Sequence, residues 1–208
     1  FYDHGIYTDM SQTRFKLERI LKETKSVLNL FSYTGAFSLY AMNLGATDVV
    51  SVDLSEKYLE WLGENLELNS HLDKEHHTSM ACSTISALDQ LIKSQKTFEF
   101  IISDPPSSSS DGNTKSNALQ DYTKTLPMIN KVLDENGKAL IFLNTHKCPL
   151  RKFEEKIKQI IDNKKLPLRI NRKFFLDGDC PSQKGFPEGS YLKGLLLEKF
   201  TKNKSKEL

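Results

Sequence analysis

Short apolar runs alternate with longer amphipathic stretches along most of this 208-residue chain, and that order constrains the fold more than any other feature. Each apolar run is nearly continuous, as expected for a parallel strand that is buried on both faces. The predicted strands are Val27–Phe31, Asp48–Asp53, Phe98–Ser103 and Ala139–Leu143. The alternation predicts an α/β fold, in which a mostly parallel sheet is covered by helices on both faces.

The amphipathic stretches have the spacing of helices that bury one face. Residues 55–68 repeat apolar side chains at helical intervals, and Ser55 stands at the N-cap position. Further helices are predicted at Leu88–Lys93, Asn117–Leu133 and Leu150–Asn163. Residues 1–24 are predicted to form an extended segment and a lead-in helix, whereas the serine run Ser107–Ser110 predicts a mobile loop.

The pattern changes near the end of the sequence. Two β-rich runs, Leu168–Phe175 and Tyr191–Phe200, are separated by a loop that contains glycine and proline and by no helix. Strands joined without a crossover helix pair antiparallel, so the sheet is expected to finish with an antiparallel strand pair. The expected organisation is an N-terminal extension at residues 1–24, one domain at residues 25–202 and a basic tail at residues 203–208.

The net charge of +2 hides an asymmetry along the chain. Residues 1–146 carry 13 Lys and Arg against 19 Asp and Glu, whereas residues 147–208 carry 16 against 8. The basic final third favours an anionic partner such as RNA, and lysine-rich solvated faces are the alternative interpretation. The candidates for contacts with RNA phosphates are Arg151, Arg169, Arg172 and Lys173.

Composition excludes several classes of protein. No run approaches the length of about 18 apolar residues that a membrane span needs, and the first residues lack the pattern of a signal peptide. We therefore expect a cytoplasmic protein with no membrane partner. Cys82, Cys148 and Cys180 lie far apart and form no C-x-x-C pair, which argues against a disulfide framework and against a metal site.

The turn after the first predicted strand is the first candidate site. In a wound sheet, a nucleotide-like ligand binds at the carboxyl end of this strand. Gly35 is the single glycine of the turn, because Ser32, Tyr33 and Thr34 occupy the places that glycines take in dinucleotide enzymes. A pyrophosphate has no glycine-lined cradle here, so NAD and FAD are disfavoured. A ligand with an adenosine but no pyrophosphate remains allowed.

Two acidic residues follow later strands. Asp53 ends an apolar strand about twenty residues after the turn, where a carboxylate accepts hydrogen bonds from both hydroxyls of a ribose. Asp104 follows the next apolar run, and the Pro105–Pro106 pair after it fixes the chain direction. Since carboxyl ends of parallel strands share one sheet edge, these carboxylates are expected to face one cleft.

Taken together, these segments resemble the class I S-adenosylmethionine-dependent methyltransferases, and more closely the bacterial large-subunit ribosomal RNA methyltransferases that modify 23S RNA. The resemblance is carried by GIYTDMSQTR at 5–14, LNLFSYTGAFS at 28–38, YLEWLGENLELN at 58–69, DPP at 104–106 and FPEGSYLKG at 186–194. It implies a Rossmann-like, mostly parallel seven-stranded sheet, S-adenosylmethionine as the cofactor and ribosomal RNA as the substrate.

The resemblance also implies roles for individual residues. The turn would hold the methionine part of the cofactor, Asp53 its ribose, and Asp9 and Arg14 would belong to an N-terminal motif that closes over it. The cofactor-binding set so implied is Asp9, Arg14, Phe31, Tyr33, Thr34, Gly35, Asp53, Leu54, Ser55, Ser83 and Asp104. The catalytic set is Asp104, Pro105 and Asn144, which would lie near the transferred methyl group.

The chain departs from the family pattern at four places. Ala81-Cys82-Ser83 replaces an acidic residue near the adenine, so adenine recognition would use Ser83 or backbone groups. Ser11 replaces an arginine, and serines replace the lysine-aromatic pair after Asp-Pro-Pro. Full-length relatives begin with a small RNA-binding PUA domain that these residues do not include. The chain is therefore either part of a longer protein or binds RNA through another surface.

The target atom is left open between guanine N7 and cytosine C5. Methylation of C5 needs a thiolate that attacks C6 first, and Cys148 is interpreted as an inert thiol rather than this nucleophile. Methylation of N7 needs only orientation of a lone pair, and Asn144 matches the guanine-N7 branch, whereas FPEGSYLKG is more similar to the cytosine branch. The alternative functions are a small-molecule or protein methyltransferase, or a non-catalytic RNA-binding relative.

Overall fold

A computed structural model of the chain describes residues 4–106, 108–110, 115–176, 180, 183 and 185–201. The strands are β1 Ser26–Leu30, β2 Asp48–Asp53, β3 His77–Ala81, β4 Phe98–Ser103, β5 Ser108–Ser110, β6 Lys115–Asn117, β7 Leu133–Asn144, β8 Leu168–Phe175 and β9 Leu192–Lys199. The α-helices are α1 Ser11–Lys22, α2 Ala36–Asn43, α3 Glu56–Leu68, α4 Thr84–Lys93, α5 Ala118–Val132 and α6 Leu150–Asn163. Short 3₁₀ turns cover Thr8–Met10, Lys74–His76 and Pro187–Gly189.

Seven strands form one sheet in the order β3-β2-β1-β4-β7-β9-β8. The five neighbouring strands β3, β2, β1, β4 and β7 are parallel, and β9 is antiparallel to both β7 and β8. This arrangement confirms the predicted mostly parallel sheet with an antiparallel C-terminal pair. The strand order reverses beside β1, so the crevice outside the carboxyl ends of β1 and β4 is the expected place for a ligand.

Two hydrophobic clusters cover the two faces of the sheet. Leu28 and Leu30 of β1 belong to the cluster under α4, α5 and α6, whereas Val27 belongs to the cluster under α1, α2 and α3. Leu17 and Leu21 of α1 are fully buried in the second cluster. Because successive strand residues point to opposite faces, this division explains why the strands are nearly continuously apolar.

The described structure differs from the sequence prediction in one edge strand and one hairpin. β3 has a mostly exposed, polar sequence because it is an edge strand, so it carries no apolar run that would predict it. The predicted mobile loop is wrong for Ser108–Ser110, which pairs antiparallel with Lys115–Asn117. The partner strand of Ser108–Ser110 lies further along the chain, and a run of serines by itself does not indicate that pairing. Ser107 and the predicted tail at residues 203–208 lie outside the described residues.

Within the described part of the chain, none of the helices has the length and apolar character that a membrane crossing requires. The same residues contain no group of three His, Cys, Asp or Glu side chains placed to hold a metal ion.

Candidate functional site

The turn between β1 and α2 is wound with three left-handed backbone conformations. Phe31 and Tyr33 have φ angles of 59° and 51°, and Gly35 has a φ of 84°. A left-handed conformation at a residue other than glycine costs about 1 kcal/mol or more, and such strain concentrates at functional sites. At Gly35 an added Cβ would also lie 2.5 Å from the Leu62 side chain. The sequence therefore needs glycine at this one position of the turn.

Asp53 braces this turn. Its Oδ2 accepts a hydrogen bond from the Tyr33 amide at 2.9 Å, and its Oδ1 accepts one from the Ser55 amide at 2.9 Å. Burial raises the pKa of the Asp53 carboxyl, and the amides of Ser55 and Leu54 oppose that rise. A carboxylate has about four acceptor positions. Each Asp53 oxygen thus keeps capacity for a ribose hydroxyl while it holds the turn.

The exit of β3 lies next to Asp53. The Cys82 amide donates to the Asp53 carbonyl oxygen at 3.1 Å, and Ser83 follows as the N-cap of α4. The Ser83 hydroxyl accepts from the Ser86 amide at 3.2 Å, so its predicted role toward adenine would compete with capping. Two apolar side chains are largely exposed after β2 and β3, Leu54 at 71% and Ile85 at 44%. Leu54 belongs to the predicted cofactor-binding set, whereas Ile85 does not.

Asp104 and Asn144 meet at the centre of the carboxyl edge. They are 40 residues apart in sequence, and Asn144 Nδ2 donates to Asp104 Oδ1 at 2.6 Å. Burial raises the pKa of Asp104 to about 7; the Asn144 hydrogen bond opposes the rise and the charge of Asp9 adds to it. Pro105 is buried directly after this pair. The structure thus brings together all three residues of the predicted catalytic set.

The N-terminal segment packs over the same edge. The Thr34 hydroxyl donates to the Gly5 carbonyl oxygen, which attaches residues 4–10 to the turn after β1. Asp9 lies close enough to Asp104 for its charge to raise the pKa of that carboxyl. The Arg14 guanidinium lies 5.7 Å from the centre of the Phe37 ring, and burial lowers its pKa while Asp9 raises it. Asp9 and Arg14 are therefore placed beside the predicted cofactor crevice.

Comparison with known proteins identifies the family. The family model described as S-adenosylmethionine-dependent methyltransferase matches residues 2–160. The chain belongs to this family. It is 30% identical over 92% of its length to "Ribosomal RNA large subunit methyltransferase I" of Shewanella denitrificans and, to the same extent, to that of Shewanella frigidimarina. The chain spans about half the length of these curated relatives, 48% in both cases.

Solved structures agree with this assignment. The crystal structure of SMU.776 complexed with SAH superposes with a TM-score of 0.84 at 27% identity and covers 93% of this chain and 50% of that chain. A SAM-dependent methyltransferase from Agrobacterium tumefaciens has a TM-score of 0.74 at 18% identity, which supports the fold alone, over 97% of this chain and 65% of that chain. The predicted family, fold and cofactor are confirmed.

The residues present in this methyltransferase fit S-adenosylmethionine. Asp53 presents carboxylate oxygens beside the turn, and Asp9 and Asp104 add negative charge where a sulfonium cation would lie. Three buried polar atoms at this edge have no hydrogen-bond partner among the described residues: Asp9 Oδ1, Ser32 Oγ and Asn144 Oδ1. Buried polar groups without a partner are rare in proteins and call for an explanation, and a bound cofactor would supply partners for these three atoms.

The predicted RNA contacts are mostly neutralised by acidic neighbours. Arg169 lies 2.8 Å from Glu198, Lys173 lies 2.6 Å from Glu154, and Arg151 Nε donates to Glu155 at 2.8 Å. Within the described ranges, Arg172 has no ion-pair partner. In the strand register, Arg169 of β8 lies opposite Glu198 of β9, which lies opposite Lys138 of β7. Lys138 precedes Asn144 by six residues, or about 20 Å along the strand. Arg169 thus lies far from the sheet edge at which Asp104 and Asn144 meet.

The thiols differ in their relation to the site. Cys148 is 7% exposed, its Sγ contacts the Pro149 carbonyl oxygen at 3.7 Å, and burial raises its pKa. Cys180 is half-buried and lies close enough to Tyr191 to contribute to the raised pKa of that phenol. Cys180 was not predicted as a candidate nucleophile, because it directly follows neither β4 nor β7 in the sequence. Tyr191 was also missed, although it stands within the quoted FPEGSYLKG segment.

Proposed function

We propose that this chain forms the cofactor-binding and methyl-transfer region of an enzyme that methylates a base of large-subunit ribosomal RNA. The observation that carries the proposal is the hydrogen bond between Asn144 and Asp104, on the same sheet edge as the Asp53-braced turn. The charge of Asp9 acts on this pair, since it contributes to the raised pKa of Asp104. The names of the Shewanella relatives support ribosomal RNA as the substrate class.

The residues divide the work between binding and orientation. S-adenosylmethionine would supply a methyl group on a positively charged sulfur. Asp53 would accept hydrogen bonds from the ribose hydroxyls, and the turn of Tyr33 to Gly35 would hold the methionine part. Asp104, when ionised, complements positive charge near the transferred methyl group, and Asn144 holds its carboxylate in place. Preorganised charge of this kind is usually the largest contribution to catalysis.

For the target atom we propose guanine N7 over cytosine C5. The N7 lone pair forms a bond to the methyl carbon while the sulfur–carbon bond breaks, and no proton has to leave. The base acquires a positive charge, which Asp9 and Asp104 would stabilise. Attack at C5 needs a thiolate at C6. The burial and raised pKa of Cys148 argue against that role for this thiol.

Calorimetry with S-adenosylmethionine tests the cofactor site. The wild type should bind, and Asp53→Ala should weaken binding by about tenfold or more because it removes both the ribose acceptor and the brace of the turn. Glu60→Ala, an exposed acid on α3, is the matched control and should bind like the wild type. Binding that is absent in the wild type, or unchanged in Asp53→Ala, would overturn the proposal.

Transfer of tritiated methyl groups tests the substrate. Total RNA from a strain that lacks the gene should accept label, RNA from the parent strain should accept little, and digestion should yield 7-methylguanosine. A yield of 5-methylcytidine, lost in Cys180→Ser but kept in Cys148→Ser, would instead assign cytosine C5 with Cys180 as the nucleophile. Label that enters protein or a small molecule would instead support a protein or small-molecule methyltransferase. The absence of label despite cofactor binding would support a non-catalytic RNA-binding relative.

A further inference from the structure

Lys193 is a buried lysine that contacts backbone carbonyls. Its side chain is 5% exposed, and its ammonium donates to the carbonyl oxygens of Thr145, of Ser190 at 3.0 Å and of Tyr191 at 3.1 Å. No carboxylate pairs with the Lys193 ammonium in the described part of the chain. Burial lowers the pKa of this ammonium. Because an unpaired buried charge is costly, the three carbonyl contacts must offset that cost.

The carbonyls that Lys193 holds belong to two segments that border the methyl-transfer site. Thr145 directly follows Asn144, the residue that contacts Asp104. The Thr145 amide also donates to the Tyr191 carbonyl oxygen at 2.9 Å. Lys193 therefore fixes the backbone of Tyr191 against the exit of β7.

The side chain of Tyr191 continues this connection to the N-terminal segment. Its hydroxyl donates to Asp9 Oδ2 at 2.5 Å, across 182 positions of sequence. Burial and the neighbouring Asp9 carboxylate raise the pKa of the phenol, so it remains a donor throughout the physiological range. Asp9 stands in the Thr8–Met10 turn, and Met10 is buried in the core at 4% exposure. The segment is thus attached at Gly5 and again at Asp9.

We propose that Tyr191 is a positioning residue for methyl transfer, whose hydroxyl holds the Asp9 carboxylate beside Asp104 and whose own place is set by Lys193. We name the hydrogen bond between Tyr191 and Asp9 the Tyr191 latch. The C-terminal strand pair thereby controls how the N-terminal segment closes over the cofactor. The catalytic part of this inference rests on the proposed function, whereas the latch itself is a property of the protein without ligand.

Hydrogen exchange and calorimetry on Tyr191→Phe test the latch, because this substitution removes only the hydroxyl. In the protein without ligand, amide exchange at Thr8–Met10 should accelerate about tenfold, the loss expected for a hydrogen bond to a charged group. The Kd for S-adenosylmethionine should rise by a similar factor and kcat should fall, with a thermal midpoint near that of the wild type. Tyr40→Phe, which removes a hydroxyl from α2, should change none of these.

A double-mutant cycle gives a second, independent reading. Asp9→Ala breaks the same bond from the other side, so the combined Tyr191→Phe and Asp9→Ala variant should bind S-adenosylmethionine no more weakly than Asp9→Ala alone. Additive losses would overturn the latch, as would unchanged exchange at Thr8–Met10 in Tyr191→Phe. If the wild type failed to bind S-adenosylmethionine, the proposed function would fall, yet exchange in the free protein would still decide the latch.

Discussion

The β1–β4 half of the sheet and the C-terminal pair β8–β9 contribute to the site in different ways. In the first half, Asp53 is the last residue of β2 and Asp104 directly follows β4, so the sheet edge alone brings them together. In the second, Tyr191 and Lys193 act through backbone and side-chain contacts that cross the molecule. Local motifs thus predict where a ligand binds, whereas we expect contacts between distant elements to determine how tightly the site is held.

The largest effect is expected in the first region. Asp104→Asn should lower methyl-transfer activity about 100-fold or more, because it removes the charge that we propose complements the sulfonium. Burial raises the pKa of Asp104 to about 7 from an ordinary value of 3.8, so the ionised form destabilises the fold. That cost is absent below about pH 4 and grows as the pH rises toward 7.

The same variant should therefore raise the free energy of unfolding by about 1–3 kcal/mol at pH 8 and leave it nearly unchanged at pH 4. Urea unfolding at both pH values measures the change in stability, and a methyl-transfer assay measures the loss of activity. The variant should thus be more stable at pH 8 but less active. Asp89→Asn on α4, an exposed position, is the control and should change neither quantity. An Asp104→Asn variant with full activity would remove this carboxylate from the mechanism.

Lys193→Met should give the largest loss of stability in the C-terminal pair. Methionine has a similar length but leaves the carbonyls of Thr145 and Ser190 without their donor, at a cost of about 2–3 kcal/mol. Urea unfolding measures the loss, and Lys152→Met, at an exposed position of α6, should cost less than about 0.5 kcal/mol. An equally stable Lys193→Met would show that the buried ammonium holds nothing in place.

Two glycines sharpen the contrast between the regions. Gly35→Ala should cost about 1–3 kcal/mol of stability, since Gly35 has a φ of 84° and a Cβ would meet Leu62; it should also weaken cofactor binding. Gly194→Ala should cost a similar amount, because its Cβ would lie 2.8 Å from the Phe142 ring, but should leave cofactor affinity closer to that of the wild type. Thermal unfolding and calorimetry on both variants separate the two outcomes.

The smallest effect is expected for the basic residues of β8. Arg172→Glu should weaken RNA binding a few-fold at low salt and reduce the salt dependence by about one phosphate contact. Arg169→Glu should have less effect on RNA affinity, since Arg169 is already paired with Glu198 far from the proposed catalytic residues. Filter binding over a range of salt concentrations makes the comparison. Equal losses in both variants would indicate a general basic surface instead.

The candidate site was more predictable than several elements around it. Asp53 and Asp104 could be placed from the apolar runs because each stands at the end of one, and strand ends meet by topology. Asn144 was expected only from the resemblance to the methyltransferase family. β3 was not predicted, because a strand at the exposed edge of the sheet does not need an apolar run. The ion pairs of Arg169 and Lys173 were not predicted either, since the number of charged residues does not show which of them lie close together in the fold.

The sequence by itself determined the α/β class, the turn that contains Gly35 and the carboxylates at the strand ends, because these depend on short-range periodicity. The tertiary structure alone decided that Tyr191 reaches Asp9 across 182 positions, that Lys193 is buried among carbonyls and that Asp104 is desolvated. These properties depend on burial and on contacts between distant segments, and such contacts form only when the sheet and its N-terminal cover have assembled.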